Sequence, residues 1–264
     1  MISLDRIGLS AHTVRTGAGR RYWVAGIAIA ACLLLSACGR TNYTWNWAVM
    51  GSYWGVLLQG LRYTLVVSAL GISIGLAWGL VVAVARMSRF RVIRGITIGY
   101  IEVMRCTPLL VQLVWIYYAL PTLTGIQFSA PVSAILTLVL DYGAFYGEAF
   151  RSGIQAVPKD EVDSARVLGL KYVDRMRFVI VPRAFRTVLP VLISLSVGLF
   201  KDSSLISVIG VADLLYQANL ASSETFRPLE ILTAAAIIYF AIAFPATLAS
   251  SSLEKRLNRH KATA

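Results

Sequence analysis

The chain has 264 residues, 57% of them hydrophobic and 14% charged, with a mean hydropathy of +0.69. Soluble domains carry about 25% charged residues, so most of this surface meets something other than water. The net charge of +12 does not point to nucleic acid, because the basic residues sit in short blocks between apolar runs instead of one stripe.

A helix crossing the hydrocarbon needs about 20 apolar residues. In chain order the candidates are 22–38, 64–85, 98–120, 131–150, 187–207 and 229–250. The first, RRYWVAGIAIAACLLLSAC with its flank, ends in Leu35-Ser36-Ala37-Cys38. It reads either as an extra N-terminal helix or as a signal segment with acylation at Cys38. The second carries Gly71, Gly75 and Gly79 in GISIGLAWG. Spacing of four puts these glycines on one helix face, open to close approach by another backbone. The third is impure at its start, where Glu102 and Arg105 precede Pro108; their i,i+3 spacing suits a local ion pair. Within it, the aromatic residues of WIYY (115–118) suit a membrane interface.

The fourth span holds Asp141, a costly residue in lipid that marks either a substrate contact or an ion pair with Lys201 or Arg105 on a neighbouring helix. The fifth holds Lys201-Asp202 toward its outer end, which suits an outer gate or a helix anchor. Lys and Arg set the orientation. Residues 1–21, 86–94, 148–186 and 253–264 hold twenty of them, against three in 39–52, 121–130 and 201–230. The first group is therefore expected on the cytoplasmic side, with the C-terminus. Cys32, Cys38 and Cys106 show no metal-binding spacing, and Cys32 and Cys106 read as apolar fillers.

Between the fourth and fifth spans lies a charged island. Pro158-Lys159-Asp160-Glu161 starts a helix, with proline in the first turn and acids at the positive end of the dipole. Val162, Ala165 and Val167-Leu168 recur at helical spacing, and Gly169 ends or bends this helix. A second amphipathic helix places Tyr172, Met176 and Val179-Ile180 opposite Lys171, Asp174, Arg175 and Arg177, and Pro182 is expected to stop it. Acids suit a lipid surface badly, so a protein partner explains this mixture better than an interfacial helix.

The island, EAFRSGIQAVPKDEVDSARVLGL followed by RFVIVP, resembles the cytoplasmic coupling loop of ATP-binding cassette (ABC) importer permeases. That family's pattern is Glu-Ala-Ala, three residues, Gly, nine residues, then Ile-x-Leu-Pro. It falls here on Asp163-Ser164-Ala165, Gly169 and Val179-Ile180-Val181-Pro182, with the spacing kept and Asp, Ser and Val in place of Glu, Ala and Leu. YIEVMRCTPLLVQLVWIYYALP, LDYGAFYGEAFRSGIQAVPK and FKDSSLISVIGVADLL are similar to the polar amino-acid branch of that family.

The resemblance implies an all-α polytopic membrane protein of the bacterial inner membrane, with five core transmembrane helices in an ABC type I importer-like bundle plus the N-terminal segment. It covers a permease domain over 52–257 with its coupling loop at 151–182; outside it lie a cytoplasmic basic tail, the N-terminal helix or signal segment and a short external linker over 1–51, and a basic cytoplasmic tail over 258–264. It further implies a second permease subunit, two ATPase subunits, an extracytoplasmic solute-binding protein and an amino-acid substrate. Asp163, Ser164, Ala165, Gly169 and Pro182 would contact the ATPase; Asp141, Lys201 and Asp202 are the candidates for the substrate path. The chain carries no GxxxxGK[ST] loop, so ATP and Mg belong to the partners and no cofactor is expected here. The alternative is an ion-coupled secondary transporter that needs no ATPase. A membrane enzyme is disfavoured: HExxH is absent, and His12 and His260 lie in the tails.

Overall fold

The computed structural model describes residues 43–259; the N-terminal segment and Cys38, and the final residues 260–264, lie outside that range. Residues from Asn46 onward form one compact unit. Among the described residues every regular element is helical. Helix α1 spans Val49–Arg86, α2 Arg91–Cys106, α3 Leu109–Thr124, α4 Ala130–Gln155, α5 Lys159–Val167, α6 Tyr172–Ile209, α7 Leu214–Thr225 and α8 Pro228–Arg259. Helices α1, α4, α6 and α8 are each long and apolar enough to cross a membrane, and α2 with α3 makes a fifth span bent by 107°.

Three boundaries differ from the sequence reading. Helix α1 begins fifteen residues before 64, and its 38 residues reach about 57 Å at 1.5 Å per residue, well beyond the hydrocarbon. The expected single span at 98–120 is two helices, because Pro108 cannot donate to the turn before it and Thr107 is held extended at φ −102°, ψ 131°.

Pro182 does not stop a helix. Helix α6 runs through it, because the preceding turn, Met176–Ile180, is a π turn whose closing bond passes from the Val181 amide to the Met176 carbonyl. The widened turn makes room for the proline ring and asks nothing of its missing N–H. The same device recurs in α3, where the π turn Trp115–Ala119 is closed by the Leu120 amide on the Trp115 carbonyl, immediately before Pro121. WIYY lies in that turn, with Trp115 and Tyr118 exposed and Ile116 buried.

The most extensive contact in the fold is between α1 and α4. Gly71, Gly75 and Gly79 are all buried there. A Cβ on Gly79 would lie 2.5 Å from the Tyr146 Cβ, and one on Gly147 of α4 would lie 3.1 Å from the Gly79 carbonyl oxygen. Glycine thus faces glycine, and the two backbones approach as small residues allow in membrane helices. Around this seam sit Val67, Leu113, Leu138, Tyr142, Tyr146, Leu192, Leu199 and Ile206, the main core. Tyr146 and Ser196 share a hydrogen bond of 2.9 Å between α4 and α6.

A second core lies where α7 packs on α1 and α8, around Leu57, Leu214, Ala218, Ala221, Ile231 and Ala235. Thr64 Oγ1 accepts the Leu214 amide at 3.0 Å, and Asp213 caps α7 by accepting the Tyr216 amide at 2.8 Å. Asp213 also accepts the Tyr239 hydroxyl at 3.3 Å. Losing a cap costs about 0.5–2 kcal/mol. Asp213→Ala is therefore expected to lower the thermal midpoint of the purified protein, while Asp213→Asn, which keeps an acceptor, stays near wild type.

Candidate functional site

Two regions carry the predicted functional residues. The first is the charged island. Helix α5 presents Asp163 and Ser164 outward and buries Ala165, which is 4% exposed. Among the described residues Asp163 pairs only with Arg166 on the next turn at 3.0 Å, with both side chains 61% exposed, a geometry that contributes little stability and leaves the acid accessible.

The helix ends by a two-bond closure on glycine. The Gly169 amide donates to the Arg166 carbonyl at 2.9 Å and the Leu170 amide to the Ala165 carbonyl at 3.1 Å. Gly169 takes φ +77°, the left-handed conformation this closure requires. A Cβ there would meet nothing within 4 Å, so the space beside it is open. Val167 and Leu168, at 88% and 79% exposed, continue that face, with Tyr172, Val173 and Phe178 exposed beyond it. Exposed large apolar side chains gathered in one short segment and framed by charges mark an interaction site. Glu161 reaches Arg183 of α6 at 3.1 Å and ties α5 to the membrane helix. Pro182 is exposed beside it, lining a recess of about 240 Å³ with Glu161, Phe178, Val179, Arg183 and Arg186.

The second region is inside the bundle. Asp141 is 6% exposed, and neither expected ion pair forms. Among the described residues no cation lies within salt-bridge distance of it. Lys201 is exposed, and the Arg105 guanidinium sits 5.6 Å from the centre of the Phe145 ring. Glu102 and Arg105 do not pair with each other either; both are exposed. Cys106 is likewise exposed instead of filling a core.

The partner of Asp141 is Gln112, which sequence reasoning missed: its Nε2 donates to Asp141 Oδ1 at 2.9 Å. The same nitrogen donates to the carbonyls of Met104 and Thr107, both at 3.0 Å. Gln112 therefore holds the bend between α2 and α3 and fastens it to α4. Asp202 is not partnered by Lys201; it accepts the hydroxyl of Tyr142, the residue after Asp141, at 2.6 Å. Among the described residues no group of His, Cys, Asp and Glu could hold a metal ion.

The profile of the family described as "Binding-protein-dependent transport system inner membrane component" matches residues 71–259. The arginine transport system permease protein ArtQ of Bacillus subtilis is 33% identical over 76% of this chain and 92% of its own length. The glutamate/aspartate import permease protein GltK of Escherichia coli O6:H1 is 30% identical over 81% of this chain and 99% of its own length. Among solved structures, the "Crystal structure of an amino acid ABC transporter with histidines" superposes with a TM-score of 0.76 at 36% identity, over 81% of this chain and all of that one. It shares the bundle of an ABC type I importer. The chain therefore belongs to the family of binding-protein-dependent transport system inner membrane components, and is a multi-pass permease subunit of an ABC importer, not an enzyme.

Proposed function

We propose that this permease forms the translocation path for a polar amino acid handed over by an extracytoplasmic binding protein, paired with a second permease subunit and driven by two ATPase subunits that bind ATP and Mg. Arginine and glutamate/aspartate permeases resemble it about equally, which supports the class of substrate. The observation that carries the coupling is the exposed apolar and acidic surface of α5. It lies in the segment with the most Lys and Arg, the side that faces the cytoplasm.

Parity supports the same topology. With the bent α2–α3 pair as one crossing, the basic loops at 86–94 and 148–186 fall on one side and the C-terminus joins them. In this arrangement Asp163 meets a basic group of the ATPase, Ser164 and the space beside Gly169 are covered, Ala165 holds α5 together from within, and Pro182 marks the joint that carries the motion to α6. Closure of the ATPases pulls two such loops together, and rigid helices pass the movement to the path. Asp141, Lys201 and Asp202 are assigned to the path, Lys201 toward its outer end. Glycines 71, 75 and 79 give the rigid α1–α4 pair against which it moves.

Reconstituted uptake is expected to require the cognate ATPase, ATP and the binding protein together. Ion-driven uptake without the ATPase would overturn the proposal in favour of a secondary transporter.

A further inference from the structure

We infer that Gln112 and Asp141 form an acceptor pair that takes the cationic group of the substrate, and that this pair selects ammonium- or guanidinium-bearing side chains over acidic ones. The inference rests on the proposed path running past Asp141. Its first support is a missing partner. Gln112 is 7% exposed, yet its Oε1 has no hydrogen-bond partner. Buried acceptors are almost always satisfied, and one that is not asks for a ligand or water.

The amide cannot simply be turned over. Nε2 faces three oxygens, those of Met104, Thr107 and Asp141, which only a donor can serve. Oε1 shares the carboxamide carbon with that nitrogen, which Asp141 Oδ1 holds at 2.9 Å. Asp141 Oδ2 makes no hydrogen bond to any described residue, since only Oδ1 is engaged. Two free acceptors, one of them charged, thus belong to one hydrogen-bonded pair.

The second support is charge. Neither Asp141 nor Asp202 has a cation in salt-bridge distance among the described residues. Carboxylates at membrane depth are ordinarily paired within the bundle. Here the counter-charge is absent, and a donor cation entering between Gln112 Oε1 and Asp141 Oδ2 supplies it. The carboxylate of an acidic side chain placed there meets only repulsion and an acceptor, which is how a site rejects the wrong partner.

The third support is position. Gln112 lies one turn beyond the break at Thr107-Pro108, and non-helical backbone at membrane depth is tolerated where it is buried in protein or lines a cavity. Gln112 thus positions both the bend and the carboxylate.

The test is equilibrium binding of L-arginine, L-lysine and L-glutamate to the full complex in lipid nanodiscs, without the binding protein. Arginine and lysine are expected to bind at least tenfold more tightly than glutamate. Asp141→Asn keeps the acceptor for Gln112 and so the fold; it is expected to weaken arginine and lysine at least tenfold and glutamate not at all. Gln112→Leu is expected to do the same, and a failure of that variant to assemble leaves Asp141→Asn to decide. Equal binding of arginine and glutamate, or arginine affinity unchanged in Asp141→Asn, overturns the cation selection. If Asp141→Leu, in an assembled complex, alters no amino acid, the path itself does not pass here. Absence of binding by every probe overturns both.

Discussion

Gly169→Asp is expected to abolish uptake while leaving the permease inserted, folded and able to bind its partner permease. The two consequences of a side chain at this position separate cleanly. Within the chain, nothing lies within 4 Å of the added Cβ, so no core is disturbed. The backbone does resist, because Gly169 holds φ +77°. A left-handed conformation costs an ordinary residue roughly 1–2 kcal/mol, but Asp and Asn visit it more readily. Gly169→Asn therefore keeps the closure of α5 at little cost, whereas Gly169→Val strains it. If the helix stop alone mattered, Asn would transport normally and only Val would fail. Loss of uptake in all three, with thermal midpoints of the Asp and Asn variants near wild type, is the outcome expected when the open space beside Gly169 is filled by the ATPase. The measurement is ATP-dependent uptake beside ATPase stimulation by the loaded binding protein. Normal transport by Gly169→Asp sinks the coupling assignment.

What could be read from the letters follows a simple division. Apolar length is written locally, so each of the five downstream spans was legible; α4 and α8 each start one residue before the predicted span and run five and nine residues past its end, where polar residues continue the helix. Helix α5 and its glycine stop were legible as well, since caps and left-handed turns depend on a few adjacent residues. The prolines misled because their effect depends on the turn before them. Before Pro121 and Pro182 the chain inserts a π turn and continues, and no residue type in WIYYA or MRFVI announces this.

The partner of Asp141 was not legible for a different reason. A neutral amide in LLVQLV carries no charge, and nothing in its neighbours marks it as the partner of a distant acid. Only the fold brings Gln112 within 2.9 Å of a residue 29 positions away. Gly143 and Gly147 were within reach. Their spacing of four is the one that singled out the glycines of α1, and applying it to α4 would have identified the facing helix.

That glycine seam predicts a graded series in which the sign of the effect changes along one helix face. Alanine in place of glycine gains up to about 1 kcal/mol in a helix interior, from backbone entropy alone. At Gly71 the added methyl would sit 3.4 Å from Leu199 Cδ2 and 3.6 Å from the Leu138 Cβ, ordinary contact with side chains. Gly71→Ala is therefore expected to be neutral or mildly stabilising. At Gly75 the nearest atom is Tyr146 Cε2 at 3.3 Å, a ring edge that shifts by a few tenths of an ångström, and the two effects nearly cancel. At Gly79 the methyl would fall 2.5 Å from the Tyr146 Cβ, 3.1 Å from the Gly147 nitrogen and 3.2 Å from the Gly143 oxygen. Two of these are backbone and the third moves only with it, so α1 and α4 must separate. Overpacking of this kind costs about 1–3 kcal/mol, which outweighs the helix gain. Separation also loosens the pair that the moving helices bear on, so Gly79→Ala is expected to lower uptake as well as stability. Thermal midpoints of the three purified variants, measured in one detergent, should fall in the order Gly71→Ala, Gly75→Ala, Gly79→Ala. Equal shifts at Gly71 and Gly79 would mean that α1 and α4 do not meet along this face.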